Sequence, residues 1–314
     1  MRPRRPLLTL AASLAAALIV SACGSPAADP GTGPTSPTPT ATSETGPSNG
    51  TTTEAPETID DLIEGLGGDS PDAEPGLGEV SGVPVYYLVE SSEGPRLVRE
   101  FRTVPEHGDP ITTAVHAMMA VPPLDPDYWS AWVAPEDMSV TRQEDRITID
   151  VPSSVFGHGV GAAEEEISYA QLVYTATAAA AWIGEPVSEV VLLENGAPGD
   201  GWGHIGVGDP WTRSPALDVV NHVWLLSPTE GESVPAGPVT FRGYGASFEA
   251  NFVWYINGEG VDLSEPTTGT NGIGFGDFEF TVDLAPGSYT VTVGNSHGKD
   301  DSHTHTDSKS FVVH

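Results

Sequence analysis

The chain has 314 residues, with 12 Lys plus Arg against 44 Asp plus Glu and a formal charge of −32. That balance excludes a basic surface for nucleic acid or anionic lipid headgroups; it favours solubility and cationic partners. A single cysteine excludes an intrachain disulfide, so an exported fold of this sequence has to be held by buried apolar cores.

Residues 1–22 read as a secretory signal: Arg2, Arg4 and Arg5, an apolar run from Leu7 to Val20, then the small residues Ser21 and Ala22. The apolar run is shorter than the roughly 20 residues a membrane span needs. Val20-Ser21-Ala22-Cys23 resembles a bacterial lipobox. In signals of that kind the cysteine thiol is acylated and the chain is cut just before it. The resemblance implies lipid attachment at Cys23 and a chain anchored by lipid at the extracytoplasmic face of the cell membrane. One acyl chain binds a bilayer marginally and two anchor stably, so a diacylglycerol-modified Cys23 would hold. Removal of residues 1–22 takes away three arginines and no acid, which moves the formal charge from −32 to −35.

Residues 23–81, beginning with Cys23, read as a disordered tether. They are rich in Pro, Thr, Ser, Gly and Ala and offer little apolar area to offset conformational entropy. A coil of that length spans on the order of 40 Å. Within it, Ile59, Leu62, Ile63 and Leu66 have helical spacing over one or two turns.

Residues 82–196 read as an α+β domain of order ββαββαβ. VPVYYLVE and PRLVREFRTV are β-rich runs around an SSEG turn. Asp109 and Pro110 open a helix whose stripe is Ile111, Ala114, Val115, Met118 and Met119, and Pro122 and Pro123 end it. MSVTRQ and DRITIDV pair around Glu144-Asp145. A long helix follows, with Glu164 to Glu166 in its first turn and Gly184 at its end. The strand VSEVVLLENG closes the unit.

Residues 197–218, rich in Gly, Asp and Trp, read as an interdomain linker. Residues 219–314 carry short runs, several of them alternating, broken by Gly, Pro, Asn and Asp; they read as an all-β sandwich. Trp254 is a core candidate, and Tyr289 stands where a tyrosine corner would sit.

PVYYLV, LVREFRTV, DRITIDVPSSVF and above all the helix SYAQLVYTATAAA make the first domain resemble the GerMN domain of sporulation and germination proteins. Ser227-Pro228, Gly243 and Ser247-Phe248-Glu249-Ala250 make the second resemble Gmad2, an immunoglobulin-like domain of bacterial spore-germination proteins. The resemblance implies an envelope lipoprotein of non-catalytic modules and supplies no catalytic residues to carry over. The chain departs from the GerMN pattern at AVPPLDPDYWSAW, where relatives tend to have a Gly-Pro loop.

Zinc-protease helices, CxxC pairs and P-loops are missing from the sequence. The densest chemistry is SHGKDDSHTHTDSK, where His303, His305 and Asp301 form a candidate site for a divalent transition metal. The competing reading is a polar loop between the last two strands. Asp200 and Asp209, set among glycines, could offer oxygens to Ca²⁺ but lack EF-hand spacing. The expectation is a non-enzymatic interaction or scaffold lipoprotein without a cofactor, whose partner is an envelope protein or a cell-wall polymer. Alternatives are an envelope hydrolase acting on peptidoglycan or glycan, and a metal- or solute-binding lipoprotein.

Overall fold

The computed structural model describes residues 78–296 and 302–314. The signal segment, Cys23, the tether with its short helical piece, and Asp301 lie outside the described residues.

The first domain starts with the antiparallel hairpin β1 (Glu79–Val89) and β2 (Arg96–Pro105). Helix α1 (Pro110–Ala120) follows for the reasons legible in its sequence. The Asp109 carboxylate accepts the backbone N–H groups of Ile111 and Thr112 at 2.9 and 3.2 Å, and the helix stops at Val121, before the prolines. The short β3 (Tyr128–Trp129) adds to the free side of β1. Strands β4 (Ser139–Gln143) and β5 (Arg146–Val151) form a second hairpin.

Helix α2 (Ala162–Trp182) then crosses to β6 (Glu189–Glu194), which pairs parallel to β5. From Ile167 to Ala180 every residue of α2 is buried, so this is a central helix rather than an amphipathic surface one. Its polar residues are consumed inside. Gln171 donates to the Tyr86 carbonyl at 2.8 Å, and the Thr175 hydroxyl accepts the Tyr86 N–H at 3.1 Å.

Residues 197–218 connect the two domains and are folded onto the first of them. β7 (Pro210–Trp211) pairs with β6, and the short α3 (Ala216–Val219) follows. Trp202 and Trp211 pack on Tyr169 at ring-centroid distances of 5.6 and 5.0 Å. The physical cause is Glu165, fully buried in the first turn of α2. Its carboxylate accepts the N–H groups of His204 and Ile205 at 3.0 and 3.1 Å and the Tyr169 hydroxyl at 2.9 Å. Gly201, at φ +56°, is required there because a Cβ would fall on the Tyr169 hydroxyl.

The second domain is a sandwich. Its strands are β8 (Val223–Ser227), β9 (Ser233–Val234), β10 (Gly237–Ala246), β11 (Asn251–Gly258), β12 (Val261–Thr268), β13 (Phe275–Leu284), β14 (Gly287–Asn295) and β15 (Thr306–Val313). One sheet has the order β13-β10-β8 and the other β12-β11-β14-β15-β9. Trp254 lies in the core between them, with Phe241, Phe252, Ile256, Val291 and Phe311. The Tyr289 hydroxyl donates to the Ala285 carbonyl at 3.0 Å, the geometry of a tyrosine corner.

Candidate functional site

The polar chemistry of the described residues gathers at the seam between the two domains, and β15 brings most of it. Strand side chains repeat every two residues, so Asp307, Lys309, Phe311 and Val313 of β15 share a face, and His305 stands just before the strand. All five are buried. Phe311 and Val313 fill the sandwich core. The three polar residues face the first domain, at 1%, 4% and 6% exposure.

The wall that receives them is the loop from 122 to 129, where the sequence departs from the GerMN pattern. Strand β2 shapes that loop. The Glu100 carboxylate accepts the N–H groups of Leu124 and Asp125 at 3.0 Å, and Arg102 donates to Glu100 at 2.7 Å and to the Pro122 carbonyl at 2.8 Å. Asp125 and Tyr128 are thereby held against β15. The Lys309 ammonium donates to the Asp125 carboxylate, to the Tyr128 oxygen at 2.8 Å and to Asp307 at 2.9 Å. Tyr128 donates to Asp307 at 2.8 Å, and the other Asp307 oxygen accepts the Leu225 N–H at 2.6 Å. Outside the cluster, the Ser308 hydroxyl donates to Asp127 at 2.9 Å.

Two carboxylates and one ammonium in a dry site push against each other's titration. Burial raises Asp125 above the ordinary carboxylate value despite the nearby Lys309. Burial alone would lower Lys309, but Asp307 and Asp125 outweigh it and hold the ammonium above its usual value. Burial, with Asp307 and Asp125 beside it, raises the Tyr128 phenol well above its usual value. The cluster is charged and closed: Asp125 and Tyr128 are 1% and 6% exposed, which leaves no path for a substrate.

His305 sits at the other end of the ledge. Asn221 donates its amide to the Val223 and Thr306 carbonyls, so its oxygen faces the His305 Nδ1, which donates at 2.8 Å. The ring stacks on His222 at 4.1 Å, and its Nε2 lies 3.4 Å from Glu93. Burial, then the neighbouring His222, lowers His305 to about 4. The seam is completed by backbone contacts: Ser92 N–H to the Thr304 carbonyl at 3.1 Å, and Asn221 N–H to the Leu97 carbonyl at 2.8 Å. Apolar contact adds to it, since Trp224 belongs to the first domain's core and Tyr244 and Phe275 pack against that core.

His303 and His305, grouped with Asp301 from the sequence, do not converge. Both precede β15, and each is held by different partners. The His303 Nε2 meets the Tyr255 hydroxyl at 3.0 Å and its Nδ1 meets the Asn295 carbonyl, while His305 is held by Asn221. Among the described residues no group of three or more His, Cys, Asp or Glu is arranged to hold a metal ion. Asp200 and Asp209 are exposed on separate turns of the 197–218 segment. Asp125, Tyr128 and Lys309 went unnoticed in the sequence. Their one signal was the alternation of His305, Asp307 and Lys309 running into Phe311 and Val313.

Two family models match the chain. Residues 84–200 match Germane, described as sporulation and spore germination. Residues 222–302 match Gmad2, the immunoglobulin-like domain of bacterial spore germination, and that match ends before the ledge of His305, Asp307 and Lys309. Among solved structures, the tandem GerMN domains of the sporulation protein GerM from Bacillus subtilis align at 19% identity with a TM-score of 0.31. That alignment covers 45% of this chain and 49% of that one, so it spans about half the length of the tandem-domain structure. An engineered protein aligns at 12% identity over 47% of this chain and 36% of its own, with a TM-score of 0.24. No curated protein matches the sequence.

Proposed function

We propose that this chain, a GerMN-like domain followed by a Gmad2 domain, is a lipid-anchored extracytoplasmic protein that works by binding, in a process related to sporulation or spore germination. The observation that carries the binding reading is the sealed seam. A glycan hydrolase needs two carboxylates on either side of a sugar. Here Asp125 and Asp307 converge on a single ammonium instead, with protein closing the space around them. Their chemistry is used to fix one domain on the other and make one two-domain head. The descriptions of the two matched families support the germination context, and the Val20-Ser21-Ala22-Cys23 motif supports the anchor. The partner is an envelope protein or a cell-wall polymer.

Two experiments test this reading. In cells making the Cys23→Ser protein, the chain is released from the membrane fraction or accumulates as uncleaved precursor. Unchanged retention and processing would reject the anchor. Purified protein incubated with peptidoglycan releases no soluble fragments under the binding reading; sustained release, absent from a buffer-only control, would replace it with a hydrolase.

A further inference from the structure

We propose that a groove beside the seam docks a peptide segment in which apolar residues are flanked by lysine or arginine. The groove, of about 390 Å³, lies between the β1–β2 turn, α2 and the segment 211–219. Helical spacing puts Ala163, Ile167 and Ala170 of α2 on the side that forms its floor, where the small alanines leave the depression. Trp211 supplies an apolar wall. Its volume falls within the roughly 300–1,000 Å³ of ligand sites.

The rim decides the sign of the occupant. Glu93 is already paired with Arg96 at 3.0 Å, and the same guanidinium donates to the Asp218 carbonyl at 2.8 Å. Those two charges cancel. Glu166 and Asp218 are exposed, and among the described residues neither carboxylate makes a hydrogen bond or an ion pair. An apolar guest that is neutral or acidic would strip water from both carboxylates and leave them unpaired, which costs free energy. A guest with basic groups beside its apolar side chains satisfies the rim while it covers the floor. The overall charge of −32 adds long-range attraction for such a segment. This inference rests on the binding reading and names the chemistry bound. Its failure would leave the membrane-retention and peptidoglycan outcomes untouched.

The test is calorimetric titration of the purified full chain with the capped tetrapeptide Lys-Leu-Leu-Lys at low salt. The controls are Glu-Leu-Leu-Glu and Lys-Gly-Gly-Lys. The first peptide binds and the controls bind at least tenfold more weakly. Glu166→Gln with Asp218→Asn, both on exposed positions, lowers its affinity roughly tenfold, as the loss of two surface pairings predicts. Ala163→Trp fills the groove and abolishes binding while the melting temperature stays at the wild-type value. Salt at about 0.5 M weakens binding severalfold. The proposal is overturned if Lys-Leu-Leu-Lys gives no heat up to millimolar concentration. It is also overturned if either control binds as tightly, or if the double variant keeps wild-type affinity.

Discussion

Replacing Lys309 with methionine tests the seam directly. The ammonium is the only cation among the partners of Asp125 and Asp307, and it also sits 4.5 Å from the Tyr128 ring centroid. Removing one member of a buried ion pair costs about 3–5 kcal/mol, because the remaining charge is stranded. Two features place this case at the low end. Asp307 keeps the Leu225 N–H and the Tyr128 hydroxyl, and Asp125 keeps the Asp127 N–H at 2.8 Å. We expect a loss of about 3 kcal/mol for Lys309→Met, a large part of a typical domain stability of roughly 5–15 kcal/mol. The pH dependence follows from the carboxyls. Asp125 is already raised in the folded protein, and loss of the ammonium raises it further. A carboxyl raised by folding penalises the folded state at pH above its ordinary value, and the penalty fades as acid protonates it. The deficit of Lys309→Met relative to wild type therefore shrinks as the pH is lowered from 7 towards the ordinary carboxylate value of about 4. Adding Asp125→Asn to Lys309→Met restores part of the loss at pH 7, since the stranded charge is gone. Urea denaturation followed by tryptophan fluorescence measures all three proteins. A deficit below about 1 kcal/mol, or one that grows on acidification, would refute the account of a dry, charge-balanced cluster.

Two more outcomes concern acid and backbone. Burial, with His107 stacked at 3.5 Å, lowers His116 to about 4, and burial beside His222 lowers His305 to about 4. Unfolded imidazoles titrate near 6.5, so the unfolded chain binds more protons through this window and stability falls as pH drops from about 6.5 towards 4. Relative to wild type, His116→Gln should therefore gain stability as the pH drops across that range, since Asp125 contributes equally to both; a pH-independent difference in urea midpoint would contradict the assignment. Gly201→Ala places a methyl group on the Tyr169 hydroxyl at a positive φ and should cost at least about 2 kcal/mol, whereas Gly206→Ala, whose methyl would stand 3.4 Å from the Gly199 carbonyl oxygen, should cost less than about 1 kcal/mol. Thermal unfolding of the two variants compares them, and equal melting temperatures would show that the loop is not pinned by Glu165.

Local signals in the sequence were enough for the elements they control. Asp109, Pro110 and the apolar stripe gave α1, and the turns at 91–94 and 144–145 gave the two hairpins. Trp254 and Tyr289 fell where a sandwich needs them. What could not be read is long-range. The 197–218 segment is ordered by Glu165, which lies 39 residues from His204, and its glycines serve close approach more than freedom. Strand β12 alternates apolar residues only at Val261 and Leu263 and contains Pro266; it forms as an edge, by pairing with β11. The cluster of His305, Asp307 and Lys309 has the composition of a solvated loop. Only its partners, Asp125, Tyr128 and Asn221, turn it inward, and they lie far away in the chain.

That distance has a consequence for the order in which the protein is made. Asp125 precedes Lys309 by 184 residues. The carboxylate is synthesised long before its counterion, and the first domain has to wait with that edge open while the sandwich is completed. Contacts so remote in sequence are slow to close. Because Lys309 is carried by β15, the strand that also supplies Phe311 to the sandwich core, pairing of that one strand puts a core residue and the seam's cation in place together.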